Sequence, residues 1–300
     1  MPQHLLSDIR GLVCPMVTPF AADGALDLAA ARQVVDFLIA HGVQVLFPAG
    51  STGEGALLTQ AEREALAAAV VDQAAGRVPV LVHTGAITTA ETVALTRHAQ
   101  AIGASAASVI TPYFFTYDEE SVFAHYLAVA QAVPDFPVFV YAFPGNAKND
   151  ISPALLARLR AAAPNIAGFK SSNGDLIRFQ EYMDAIGPGG VPLCGVDGLM
   201  LPALALGSMG QVSGNSNAVP ELFRRVYNTF RAGDLEAARA AQSAVNRARR
   251  ALHDGVPLAY FKAALTLRGV PGGRVRAPMR ELTPAQIDQL RADLQTLGVL

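Results

Sequence analysis

Residues 43–76, VQVLFPAGSTGEGALLTQAEREALAAAVVDQAAG, contain the unit that decides the fold. The run begins with VQVLFPAG, which is apolar without strict alternation, as is typical of a parallel strand covered on both faces. After a glycine-rich loop, Thr59 and Glu62 have the spacing of a capping box at the start of a helix. Gly76 suits the left-handed conformation that ends such a helix. The stretch therefore predicts one strand–loop–helix unit.

The same unit recurs along the chain. Further strands are predicted within residues 11–20, 78–85, 106–112, 136–143, 166–172, 191–197 and 210–215. Helical patterns separate them, with a second capping-box sequence at Thr88–Glu91 and a cap followed by proline at Ser152-Pro153. Eight strands alternating with helices up to about residue 231 predict an α/β fold, a (β/α)8 TIM barrel. A doubly wound sheet is the competing architecture, but its glycine-rich turn does not follow the first strand here.

Beyond residue 232 the pattern consists of helices alone. One is predicted over residues 234–253, a second over 257–269, and a third begins at Thr283-Pro284. The third carries an apolar face formed by Ile287, Leu290, Leu294 and Leu297. We therefore expect residues 1–232 to form the barrel that carries the active site. Residues 233–300 are expected to form a C-terminal three-helix extension, a helical cap packed on the barrel.

Composition excludes several classes of function. The chain is 51% hydrophobic and 16% charged, which is enough apolar material for a large core. A net charge of −2 predicts no nucleic-acid partner. No apolar run reaches the roughly 18–20 residues of a membrane span. The opening MPQHLLSDIR lacks the layout of a signal peptide, and Cys14 and Cys194 are expected to be reduced core cysteines, so we predict a cytoplasmic protein.

One lysine is conspicuous in this arginine-rich chain. Lysine occurs three times among 23 basic residues, and Lys170 ends the apolar run 166–169. In TIM barrels the active site lies at the carboxyl ends of the strands. A lysine there can attack a ketone if burial keeps its amine neutral, which a guanidinium cannot do. The alternative is a rim lysine paired with an acid, and Lys148 and Lys262 are weaker candidates for the nucleophile.

Other strand ends supply complementary groups. Tyr141 ends the fifth strand and could relay protons, although a core or rim tyrosine is the alternative. The loop Gly50–Glu54 offers hydroxyls and backbone amides that suit a carboxylate. His83 is expected to be a polar rim residue, and no histidine spacing predicts a metal site. The arginines of the first cap helix, at 247, 249 and 250, are expected to form a solvated or subunit-contact face.

These motifs resemble those of the dihydrodipicolinate synthase and N-acetylneuraminate lyase family. The similarity is carried by GSTGE at 50–54, YAFP at 141–144 and GFK at 168–170, and it extends through nearly the whole chain. The resemblance implies a class I lyase, usually a homotetramer, that acts on pyruvate or a pyruvate-yielding 2-oxo acid. It implies that Lys170 forms an imine, Tyr141 shuttles protons, and Ser51 and Thr52 hold the carboxylate. No cofactor is implied, because the lysine itself is the electron sink.

Departures from the synthase pattern bear on the substrate. Asn146 stands where synthases carry an arginine that grips a dicarboxylic substrate, and Phe114 replaces a tyrosine that synthases lend across a subunit interface. Ser51 and His83 are more like the lyase branch. Asp197 falls where lyases contact a polyhydroxylated tail, although the glutamate expected beside it is Gly198.

The sequence therefore predicts a Schiff-base lyase on a 2-keto-3-deoxy sugar acid, most simply an aldolase that releases pyruvate. The residues expected to bind substrate are Gly50, Asn146, Gly195, Asp197 and Ser213. A dehydratase using the same imine remains open, as do dihydrodipicolinate synthesis from pyruvate and aspartate semialdehyde and a non-catalytic ligand-binding barrel. A phosphate-binding isomerase-type barrel is less favoured, because GQVSGNSN is a weak phosphate turn.

Overall fold

The computed structural model describes residues 6–300. The first five residues of the opening stretch, and with them part of the signal-peptide prediction, lie outside the described residues. The eight strands β1 to β8 are, in order, Gly11–Pro15, Val45–Phe47, Leu81–His83, Ala106–Ile110, Val138–Ala142, Ile166–Ser171, Val191–Cys194 and Gly210–Val212. Each lies within one of the runs from which a strand is predicted.

The strands form one parallel sheet that closes on itself. Its order is β2-β1-β8-β7-β6-β5-β4-β3, and all of the strand pairs are parallel. The remaining gap between β2 and β3 is spanned by a parallel bridge between Leu46 and Val80. The amide of His83 also donates to the carbonyl of Pro48 at 3.1 Å. The predicted (β/α)8 barrel is confirmed.

Helices follow the strands around the outside of the barrel. Helices α1 to α9 are Leu28–Ala40, Gln60–Ala74, Thr89–Ala101, Glu119–Ala132, Pro144–Ala147, Pro153–Ala162, Leu176–Ile186, Met200–Leu206 and Pro220–Arg231. The capping box predicted at the start of α2 is present, with reciprocal bonds between Thr59 and Glu62. Thr88 and Ser152 cap α3 and α6 through their hydroxyls, but the return bond from the Thr88 amide to the Glu91 side chain is not formed, so the second predicted capping box is only half present. The single turn of α5 is an addition to the eight-unit pattern.

Alternating side chains divide the core into two layers. On β5, Val138, Val140 and Ala142 pack in the cluster shared with the helices, whereas Phe139 belongs to the cluster inside the barrel. Every strand contributes to the interior, through Val13, Val45, Leu81, Ala106, Phe139, Ala167, Leu193 and Val212. Tyr141 shares the inward face of Phe139 and therefore points toward the carboxyl end of the barrel interior.

A bulge in β6 sets the direction of its lysine. Val138 lies opposite Ile166, but the next residue, Phe139, lies opposite Gly168, so β6 contains one extra residue. Strict alternation from Ile166, which faces the helices, would turn Lys170 outward as well. The extra residue reverses the alternation and turns Lys170 into the barrel, next to Tyr141. A bulge commonly redirects a side chain in this way beside an active site.

The C-terminal extension consists of α10 (Leu235–Ala251), α11 (Ala259–Leu267) and α12 (Pro284–Thr296). As predicted, Leu290 and Leu294 are buried, and Ile287 and Leu297 pack against the same core. Gln242 of α10 ties the extension to the barrel, since its side chain bonds both the amide of Leu201 and the carbonyl of Asp197. The division into two units at residue 232 stays a prediction. Within residues 6–300, no helix has the length and apolar character needed to cross a membrane.

Candidate active site

Lys170 and Tyr141 are direct neighbours at the carboxyl ends of β6 and β5. The Lys170 Nζ lies 3.8 Å from the centre of the Tyr141 ring and 4.9 Å from that of Phe47. The lysine is 6% exposed and the tyrosine 2%. Among residues 6–300, no group accepts or donates a hydrogen bond at the Tyr141 hydroxyl. An amine and a phenol without a hydrogen-bond partner in residues 6–300 therefore face the same space.

That space is a cavity of about 1110 Å³ at the mouth of the barrel, which we name the barrel cavity. The residues with predicted roles that line it are Lys170, Tyr141, Ser51, Thr52, Asn146, Gly195 and Asp197. The other two, Gly50 and Ser213, are buried behind its wall. The extension contributes the outer wall, including Arg249, Asp254, Pro257, Phe261, Arg280 and Gln286. Such a cavity could hold an acid of several carbons beyond the lysine.

Gly195 leaves room for the lysine. A Cβ atom at this position would lie 3.2 Å from the Lys170 Cε and would also collide with the Ser172 hydroxyl. The absence of a side chain therefore lets the lysine extend along the wall of the cavity. Gly195 thus makes space for the lysine, and its contact with substrate stays a prediction.

The loop Gly50–Glu54 has the groups needed to bind a carboxylate. Ser51 and Thr52 line the barrel cavity, and within residues 6–300 their amides donate to no protein acceptor. The segment that follows β1 holds this loop in place, because the Thr18 hydroxyl donates to the Gly53 carbonyl at 2.6 Å. Two free amides beside two hydroxyls form a concave donor site of the kind that binds anions.

A buried ion pair anchors this loop to the extension. Lys262 of α11 is 1% exposed, and its ammonium lies 2.5 Å from the Glu54 carboxylate and donates to the Thr18 carbonyl at 2.7 Å. The other Glu54 oxygen accepts from the amide of Arg276 at 2.8 Å. Lys262 is thus fully engaged, and Lys148 is exposed outside the cavity. Of the three lysines, Lys170 alone is placed to react in the cavity.

Replacing Lys262 by methionine is expected to destabilise the fold by about 3–5 kcal/mol, because the buried Glu54 carboxylate would lose its counter-ion. Urea denaturation measures this loss, with Lys148→Met as the matched control. The exposed control is expected to stay within about 0.5 kcal/mol of the parent. Adding Glu54→Gln should recover part of the loss. A Lys262→Met loss below about 1 kcal/mol would contradict the anchoring role.

Asp197 is more enclosed than the sequence suggests. Its carboxylate accepts hydrogen bonds from Gln211 at 2.9 Å, Ser213 at 2.7 Å and Asn215 at 2.7 Å. Burial raises the pKa of Asp197, and these donors oppose the rise. The carboxylate thus fixes the side chains around it. The Ser213 hydroxyl donates to Asp197 and does not reach the cavity surface.

The prediction that His83 is a polar rim residue is wrong. His83 is 7% exposed, and its ring lies 6.1 Å from the Tyr141 ring, beneath the cavity. Arg63 of α2 donates to the carbonyls of His83 and Gly85 at 3.0 Å and lies 3.3 Å from the His83 Nδ1. Burial, with the charges of Arg63 and Lys170, holds the pKa of His83 well below its usual value. The ring is therefore neutral and supports Tyr141. Sequence spacing gave no signal for this pairing between a helix and a strand.

The expectation for the arginines of α10 is wrong at one position. Arg247 and Arg250 are exposed, but Arg249 reaches the barrel cavity, where it pairs with Asp254 at 2.8 Å. Helical periodicity alone cannot show which face of α10 overhangs the barrel. Phe114, in contrast, is 70% exposed, has a φ of 80° and packs its ring against Phe115, outside the cavity.

Among the described residues, the cysteines form no disulfide and the acidic side chains form no metal site. Cys14 and Cys194 are free, and burial raises their pKa values to about 12 and about 11. In the part of the chain that the structure describes, no group of three histidine, cysteine or acidic side chains is placed to hold a metal ion. The polar groups that line the barrel cavity are an amine, a phenol, hydroxyls and amides, together with the carboxylates of Asp197 and Asp254 and the guanidinium of Arg249.

Comparisons with known proteins identify the family of this chain. The family model of the dihydrodipicolinate synthetase family matches residues 8–297. A DapA-like lyase of Halobacterium salinarum is 40% identical over 97% of this chain and 95% of its own length. The 4-hydroxy-tetrahydrodipicolinate synthase of Thermus thermophilus is 35% identical over 97% of both chains.

Solved structures show the same fold. YagE, a prophage protein of the dihydrodipicolinic acid synthase family from E. coli K12 solved in complex with pyruvate, superposes with a TM-score of 0.92. It is 31% identical, and the match covers 97% of this chain and 99% of that one. Dihydrodipicolinate synthase from Aquifex aeolicus gives a TM-score of 0.91 at 29% identity, with coverage of 97% and 99%. The chain therefore belongs to the dihydrodipicolinate synthetase family, whose members are lyases and synthases of the class I, Schiff-base-forming type.

Proposed function

We propose that this protein is a 2-keto-3-deoxy sugar acid aldolase that releases pyruvate through an imine on Lys170. The observation that carries the proposal is the position of Lys170, which is buried beside a free Tyr141 hydroxyl and points into the barrel cavity. The free amides of Ser51 and Thr52 provide a site for the carboxylate of a 2-oxo acid. The cavity extends outward from the lysine far enough for the remaining carbons of the acid.

In this proposal the amine of Lys170 attacks the C2 carbonyl, and loss of water gives an iminium. A base then removes the proton of the C4 hydroxyl, and the C3–C4 bond breaks. Its electrons move into the iminium, an enamine forms, and the aldehyde leaves. Protonation at C3 and addition of water release pyruvate and restore the amine. Tyr141, whose ring lies 3.8 Å from the Lys170 Nζ, is placed to carry these protons.

Asn146 supports a hydroxylated substrate over a second carboxylate at that position. It lies exposed in the wall of the barrel cavity, where its amide can bond a hydroxyl but carries no charge. The likeness to the Thermus thermophilus synthase nevertheless makes condensation of pyruvate with aspartate semialdehyde the second candidate. A homotetramer, a cytoplasmic location and the independence from any cofactor stay predictions.

The proposal is tested by the products formed from 2-keto-3-deoxy pentonic and hexonic acids. Release of pyruvate with an equimolar aldehyde, followed by NMR, is the expected result. A product that retains every carbon after loss of water would instead identify a dehydratase. Condensation of pyruvate with aspartate semialdehyde, in the absence of sugar-acid cleavage, would identify a synthase. If none of these substrates reacts, the sugar-acid aldolase proposal is overturned, and a bulkier 2-oxo acid or a non-catalytic ligand-binding barrel remains.

A further inference from the structure

Arg249 occupies a place that a glycine leaves open. A Cβ atom on Gly198 would collide with the Arg249 Nη1, so the guanidinium lies directly on this glycine. At Gly195, three residues earlier in the same segment, a Cβ atom would collide with the Ser172 hydroxyl and would lie 3.2 Å from the Lys170 Cε. The segment from Gly195 to Gly198 thus has the nucleophile at one end and a guanidinium at the other. A substrate attached to Lys170 would extend along it toward Arg249.

The guanidinium is held in place by Asp254. The Arg249 Nε and Nη2 donate to the two oxygens of this carboxylate at 2.8 and 3.2 Å. Within residues 6–300 the Nη1 donates to no acceptor, and both side chains line the barrel cavity. The pair therefore offers a free donor edge beside an acceptor, in a geometry fixed before substrate binds.

The charges around this pair favour hydroxyl groups over a second anion. Asp254 neutralises Arg249 directly, and the buried carboxylate of Asp197 lies on the same wall. A carboxylate brought to Arg249 would approach both acids, which is unfavourable in a partly enclosed site. A hydroxyl can accept from Nη1 and donate to an Asp254 oxygen at once.

We propose that Arg249 and Asp254 form a subsite that reads the distal hydroxyl groups of the sugar acid. The inference rests on the proposed aldolase function and names the part of the substrate that determines specificity. Gly198 is the residue that makes room for this subsite. The contribution of α10 to the reaction is thus recognition of the tail, while the barrel strands supply the chemistry.

The test measures condensation of pyruvate with two three-carbon aldehydes, glyceraldehyde and propionaldehyde, which differ in their hydroxyl groups. Arg249→Met is expected to lower kcat/KM for glyceraldehyde by about 10- to 100-fold, the value of one or two charge-assisted hydrogen bonds. The loss for propionaldehyde is expected to be below about threefold. Arg250→Met, an exposed arginine on the same helix, is the matched control and should change neither value.

Gly198→Ala provides a second variant, because it displaces the guanidinium without removing its charge. It should reproduce the selective loss for glyceraldehyde to a smaller degree, whatever Arg249→Met does to folding. Equal losses for both aldehydes, or an Arg249→Met enzyme indistinguishable from Arg250→Met, would overturn the subsite alone. A greater loss for succinic semialdehyde than for glyceraldehyde would overturn it in favour of an anion site. A wild-type protein without condensation activity would overturn the aldolase function, and the subsite with it.

Discussion

Lys170→Arg is expected to abolish the adduct that borohydride traps between pyruvate and the protein, and to lower lyase activity by about 10⁴-fold or more. Attack on the ketone needs a neutral amine, and the guanidinium of arginine stays protonated. Peptide mass spectrometry after reduction measures the adduct directly. In the wild-type protein the mark is expected on the peptide that contains Lys170.

The matched control is Lys148→Arg, which makes the same change at an exposed position and should leave the adduct intact. Folding of the Lys170→Arg variant is checked by its thermal unfolding. We expect it to fold, because a guanidinium can also stack on the rings of Tyr141 and Phe47. A mark on Lys262, or an adduct that survives in Lys170→Arg, would refute the assignment of the nucleophile. A wild-type protein that forms no adduct would refute the pyruvate imine itself.

The barrel was predictable because its local signals agree with one another. Parallel strands covered on both faces are apolar runs, and hydroxyl caps such as Thr59 and Thr88 mark where helices begin. Because the strand–helix unit repeats eight times, the architecture follows from the number and order of these units. The position of Lys170 at a strand end was predictable for the same reason, and lysine is rare enough here to be noticed.

The bulge in β6 was not predictable from alternation. Counting two residues per repeat from the buried Ile166 would place Lys170 among the helices rather than in the barrel. The structure explains why Gly168 stands at the bulge, since a Cβ atom there would collide with the carbonyl oxygen of Val191 and with the ring of Phe139. A strand's local sequence does not reveal which neighbouring backbone will approach it.

The support around the site also depends on long-range contacts. Arg63 reaches His83 from α2, and Lys262 reaches Glu54 from α11, more than 200 residues away along the chain. Each of these residues is polar in sequence and would ordinarily be placed at the surface. Only packing of the helices on the barrel brings them inside, and this packing is set by many weak contacts at once. For the same reason, the sequence did not predict that the extension, including Arg249, forms the outer wall of the barrel cavity.

Tyr141→Phe is expected to lower kcat by about 10²- to 10⁴-fold, the usual contribution of a positioned proton carrier. The hydroxyl faces the barrel cavity and makes no bond to residues 6–300, so its removal leaves the surrounding hydrogen bonds intact. The ring remains to pack against Lys170 and Phe143. The variant should therefore fold normally, and it should still form the trapped adduct with pyruvate, although more slowly.

The loss of kcat is expected to be large because Phe114 stands where the synthases have a second relay tyrosine. Phe114 carries no hydroxyl and lies outside the cavity, so it cannot take over the proton transfer within one chain. Tyr113→Phe is the matched control, since that half-buried tyrosine packs beside Tyr141 but does not line the cavity. A kcat within about threefold of the parent is expected for the control. If Tyr113→Phe shows the greater loss, the proton path runs through that phenol, and the role assigned to Tyr141 is wrong.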